Sequence, residues 1–135
     1  KKMSKSETSQ NHAVLWLDPP DTIRAKIMRA TTDSLREIKF DENRPGIYNL
    51  LVIYELFTKK SRDEIESMYE GKGYADFKKD LAEVIIEGIR PVQEKYKEIT
   101  EDPAYIDSLL TKSAERLRPI AQKTLNLVKE RMGIG

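Results

Sequence analysis

At 135 residues, with 35% charged and 39% apolar side chains, the chain suits one compact, helix-rich domain with a modest core and heavily solvated faces. The absence of cysteine and the presence of a single histidine, His12, exclude disulfides, thiolate metal sites and a zinc centre, so no metal ligands are assigned. A formal net charge of +1 means that any nucleic-acid contact has to come from local basic patches. No apolar run approaches the ~18 residues of a membrane span, so no membrane partner is expected. The lack of cysteine agrees with a cytoplasmic location.

Residues 1–10 are polar and rich in lysine and serine, a composition that predicts a mobile loop. Ala13–Leu17 reads as a short extended run stopped by Asp18-Pro19-Pro20. From Thr22, Ile23, Ile27 and Met28 recur at helical spacing and predict a helix to about Thr31, broken by Thr32-Asp33-Ser34. Residues 38–46 read as a polar connector. Ile47–Thr58 is apolar almost all round and predicts a buried helix. Ser61-Arg62-Asp63-Glu64 is a capping box that starts a short helix through Tyr69, ended at Gly71.

A long helix is expected from Tyr74 or Ala75 to about Thr100, with Leu81, Val84, Ile85, Ile89, Val92, Tyr96 and Ile99 as its stripe and a kink at Pro91. Asp102-Pro103 caps the next helix, which runs to Met132 and closes at Gly133. Its stripe, Ile106, Leu109, Leu110, Leu117, Ile120, Ala121, Leu125 and Val128, is expected to face inward against the preceding helix. The fold class is therefore all-α, a helical bundle behind a mobile loop and a short extended segment.

Lys2-Met3-Ser4-Lys5-Ser6 carries the sharpest chemistry. Two ammonium groups three positions apart, with hydroxyls and backbone N–H groups between them, can wrap a polyphosphate. Tyr69-Glu70-Gly71-Lys72-Gly73-Tyr74 contains a Gly-Lys-Gly triplet but lacks the strand and the Ser or Thr of a P-loop, so a turn with packed tyrosines is favoured. The acid of Thr32-Asp33-Ser34 reads as a helix-end cap, and His12 as a partner in a loop hydrogen bond. Tyr48, Tyr54, Phe57 and Phe77 read as core. Lys78-Lys79 and, on the last helix, Lys112, Arg116, Arg118, Lys123, Lys129 and Arg131 form basic faces, from which Lys78, Lys79, Arg116 and Lys123 are the candidate RNA-phosphate contacts.

Taken together, these residues resemble one family. Lys2–Ser6 matches the second signature motif of class I aminoacyl-tRNA synthetases. The stretches Ile27–Ser34, Arg44–Tyr54, Tyr69–Glu83 and Arg131-Met132-Gly133 are similar to the tryptophanyl-tRNA synthetases of bacterial type. The chain departs from the family at Glu7-Thr8, where Asp-Pro is common.

The resemblance implies activation of tryptophan with Mg2+-ATP, transfer to tRNA(Trp), a homodimer, and no tightly bound cofactor. Lys5 would stabilise departing pyrophosphate, Lys2 would assist, and Met3, Ser4 and Ser6 would border ATP. Residues 1–21 are then the signature loop and linker, and residues 22–135 the helical anticodon-binding domain. Because the chain opens on Lys1-Lys2 inside a motif, it is expected to be a C-terminal fragment. Its Rossmann-type catalytic domain would lie upstream, so the piece alone would be inactive. The alternatives are a stand-alone helical tRNA-binding module and a structural or oligomerisation bundle.

Overall fold

A computed structural model describes residues 12–134; the signature segment, with Lys2, Met3, Ser4, Lys5 and Ser6, lies outside the described residues. Among the described residues there are five helices and no strand, as the all-α expectation requires. The chain divides between Gln93 and Glu94 into two compact units.

In the first unit, α1 spans Pro20–Arg29. Pro20-Asp21 suits a helix start, and Pro20 occupies the first helical position, where a missing N–H costs nothing and the fixed φ suits the helix. Asp21 in the first turn and Arg29 in the last complement the helix dipole. The helix buries Ile23, Lys26 and Ile27. α2, Pro45–Thr58, buries Ile47, Leu50, Leu51 and Tyr54, while Leu56 and Phe57 stay exposed. Gly46 allows its close approach to the chain leaving α1, since a Cβ there would stand 2.5 Å from the carbonyl oxygen of Thr31.

α3, Arg62–Met68, opens on the expected capping box: Ser61 Oγ accepts from the Glu64 N–H, and the Glu64 carboxylate accepts from the Ser61 N–H at 2.8 Å. Gly71, at φ 74°, makes the turn into α4, Tyr74–Thr100. The first half of α4 contributes Phe77, Leu81, Ala82, Ile85, Ile86 and Ile89 to the core. At the centre, Tyr54, Tyr69 and Phe77 meet with ring centroids 5.1–5.8 Å apart, two of the three pairs edge to face. Each fully buried side chain of this kind contributes about 1.5–3 kcal/mol.

The second unit holds the end of α4 and α5, Pro103–Met132. α5 is capped as expected by Asp102, whose carboxylate accepts from the Tyr105 N–H at 3.0 Å, and ends at Gly133 in the left-handed region, φ 66°.

Several expectations are corrected. No residue of α5 is buried: Leu110, Leu117 and Ile120 are each more than half exposed, and on α4 Val92, Tyr96 and Ile99 are exposed too. A helical stripe shows that a face can be covered, not that this chain covers it. Residues 13–17 are not a uniform extended run, because Asp18 reaches back to the Leu15 N–H and folds Trp16-Leu17 into a turn. The connector over 38–46 is not simply polar. Ile38 is buried and Phe40 packs against the core.

Candidate functional site

Three residues after the first described one, the chain forms the Leu15–Asp18 turn. Asp18 Oδ2 accepts from the Leu15 N–H at 2.8 Å and from Lys26 Nζ at 2.6 Å. Both side chains of this ion pair are about nine-tenths buried. Burial pushes the Asp18 carboxyl up, but the hydrogen bonds from Lys26 and the Leu15 N–H outweigh it and hold the group below its ordinary value. From α4, the Gln93 amide donates to the carbonyls of Trp16 at 2.9 Å and Asp18 at 3.0 Å. Sequence reasoning missed this set. The available signal was a lysine on an apolar stripe: Lys26 lies three residues after Ile23 and next to Ile27, on the inward face of α1.

The segment after α1 is held by polar contacts from distant positions. Asp33 is not a helix cap, since α1 has ended at Arg29. Its carboxylate takes hydrogen bonds from Arg44 Nε at 2.9 Å and Nη2 at 3.1 Å, from the Tyr74 hydroxyl at 2.6 Å and from the Leu35 N–H at 2.8 Å. The Arg44 bonds, then that of Tyr74, hold the Asp33 carboxyl well below the usual range, and its partner Arg44 is raised in return.

Lys78, one of the candidate RNA contacts, is buried. Its ammonium donates to the Ala30 carbonyl at 2.6 Å and reaches Met28 O and Thr32 Oγ1 at 3.5 and 3.4 Å, and burial lowers its pKa. The lysine thus closes the C-terminal end of α1, where free carbonyls favour a cation. Lys79, Arg116 and Lys123 are exposed.

The Tyr69–Tyr74 stretch is a turn, as its spacing favours. Tyr69 is buried, with its hydroxyl on Asp80 at 2.9 Å, and Lys72 sits over its ring. A cleft of about 610 Å³ opens beside it. The cleft balances Arg36, Lys39 and Lys72 against Glu37, Glu66 and Glu70, so it offers no net positive field for a polyphosphate. Among the described residues no helix is long and apolar enough to cross a membrane.

The sequence model for "tRNA synthetases class I (W and Y)" matches residues 1–89, which include the signature segment and almost all of the first unit. The chain belongs to this family. Within it, the relatives are tryptophan–tRNA ligases. That of Wolinella succinogenes is 48% identical over 134 residues, and that of Bacillus anthracis 51% over 135, in each case 99% of this chain and 41% of the relative. The crystal structure of the tryptophanyl-tRNA synthetase from Mycoplasma pneumoniae superposes with a TM-score of 0.75 at 29% identity, covering all of this chain and 41% of that one. The chain thus spans about two fifths of the length of the relatives it matches, and corresponds to their C-terminal part.

Proposed function

We propose that this chain is the C-terminal part of a cytoplasmic, homodimeric tryptophan–tRNA ligase, which activates tryptophan with Mg2+-ATP and charges tRNA(Trp). The observation that carries the reading is Lys2-Met3-Ser4-Lys5-Ser6, which lies within the residues matched by the family. Residues 1–21 would be the signature loop and linker from the catalytic domain, and residues 22–135 the helical body that recognises the tRNA.

The chemistry is coherent. Attack of the tryptophan carboxylate on the α-phosphorus of ATP forms the adenylate and expels pyrophosphate, so negative charge grows on the leaving group. Ammonium groups at Lys5 and Lys2 that meet this charge lower the barrier more than they tighten the binding of ATP, while Met3, Ser4 and Ser6 border the nucleotide. With Lys78 engaged at the end of α1, contact with RNA phosphates falls to Lys79, Arg116 and Lys123. In the complete ligase, Lys5→Ala should raise the adenylation barrier by about 2–4 kcal/mol, like the loss of one preorganised donor. Tryptophan-dependent ATP–pyrophosphate exchange measures this directly, and unchanged exchange rules the role out.

A further inference from the structure

We infer that the apolar hollow at the Leu15–Asp18 turn is the docking surface for the upstream part of the ligase, with Trp16 as its anchor. The inference rests on the function proposed above and adds to it the surface on which the two parts meet. The hollow holds about 380 Å³ and lies within the first unit, where its lining includes Val14, Leu15, Trp16, Ile27, Ile53 and Phe57. Leu15, Trp16 and Leu17 are each more than half exposed, three apolar side chains in a row. Single exposed apolar residues are ordinary, but a run of them at the mouth of an apolar hollow marks a contact surface. Tryptophan is also among the residues enriched at the energetic centres of such surfaces.

The turn is presented in one arrangement. Asp18 bonds the Leu15 N–H and the buried Lys26 ammonium, and the Gln93 amide bonds the carbonyls of Trp16 and Asp18. A turn clamped in this way loses little further freedom on docking, so more of the contact energy survives as affinity. Lys26, which also lines the hollow, is engaged by Asp18, and apolar side chains make up most of the remaining described lining. That chemistry suits an apolar protein surface and not RNA phosphates. The upstream part is the occupant within reach. This chain covers 41% of the relatives as their C-terminal part, which leaves about three fifths of their length upstream. On the proposed reading that part joins ahead of Lys1, and His12, eleven positions on, already lines the hollow. Eleven residues span at most about 40 Å, and a tether of that length gives an effective concentration on the order of millimolar. A second copy of the chain at micromolar concentration has no such advantage.

The test is hydroxyl-radical footprinting of the 135-residue chain and of the complete ligase, read peptide by peptide in a mass spectrometer. Oxidation of Trp16 should slow roughly fivefold from the chain to the ligase, as its exposure drops from 63% to that of a buried anchor. Phe57, in the hollow, should be protected with it, while Met68, exposed on α3 and outside the lining, should change less than twofold. Unchanged oxidation at Trp16, or a fall that Met68 shares equally, overturns the inference. So does protection of Trp16 in the 135-residue chain that grows with concentration while light scattering shows a doubled mass, since the occupant is then a second copy. Trp16→Ala gives a second readout. It should lower the melting temperature of the complete ligase by more than about 3 °C and that of the 135-residue chain by less than about 1 °C. Equal shifts in the two also overturn it. Tryptophan-dependent ATP–pyrophosphate exchange in the unaltered ligase is measured beside these: if it is absent the functional reading fails, and if it is present while Trp16 stays exposed the inference alone fails.

Discussion

The two compact units use the same helical periodicity to different ends. Before Glu94, the apolar stripes of α1, α2 and α4 converge on the Tyr54, Tyr69 and Phe77 rings, and Ile47, Leu51, Ile65, Phe77 and Leu81 have no exposed surface. After it, α5 carries an equally regular stripe and buries none of it. An amphipathic pattern therefore defines a face, while its energetic worth depends on whether another surface lies against it. Isolated helices gain little from propensity alone, so the first unit is the part of this chain with its own source of stability.

The sharpest way to break that contrast is to make the same substitution in both units. Leu51→Ala removes a fully buried side chain and should cost about 3–5 kcal/mol. Leu117→Ala, at a position 54% exposed, should cost under about 0.5 kcal/mol. Urea unfolding of the 135-residue chain measures both. A loss above about 1 kcal/mol at Leu117 would mean that its stripe is covered in solution.

A smaller effect separates two kinds of close approach within the first unit. Gly46→Ala drives a methyl group into the Thr31 carbonyl, which cannot move without shifting the chain between α1 and α2, and should cost about 1–3 kcal/mol. At Gly88 the atoms nearest an added methyl group belong to the Phe57 ring, the far end of a side chain that is 39% exposed. Gly88→Ala should lower the melting temperature much less, and equal losses would show that Phe57 is held as firmly as backbone.

The smallest effect is a dependence on acid. The folded Asp18 and Asp33 carboxyls lie below their ordinary value of about 4. Their contribution is fully present above that value and is lost as pH falls through the lower folded values. Stability followed from pH 6 downward should therefore begin to fall near pH 4, and Asp18→Asn should flatten the slope. A slope unchanged by that substitution would assign the acid sensitivity elsewhere.

Signals with a reach of three or four residues were legible in the sequence. The Ser61–Glu64 capping box, the Asp102-Pro103 cap, the turn at Gly71 and the stop at Gly133 all stand where their chemistry puts them. What escaped depends on partners brought together by the fold. Asp33 looked like a local cap and instead joins Arg44 and Tyr74, the latter 41 positions away. Lys78 looked like part of a basic face, yet it sits between Phe77 and Leu81 on an inward stripe, and its partner at Ala30 is 48 positions away. The contacts that fasten the Leu15–Asp18 turn were not legible either, because Gln93 lies 75 positions from Asp18.

Lys78 has one further consequence. A primary amine enclosed in this way, with its hydrogens turned toward the carbonyls at the end of α1, is shielded from reagents that readily modify the exposed Lys79 beside it. Its acylation must wait until the end of α1 comes away from α4. The pair is thus an internal clock: the neighbour reports the reagent, and the hidden amine reports how often that joint opens.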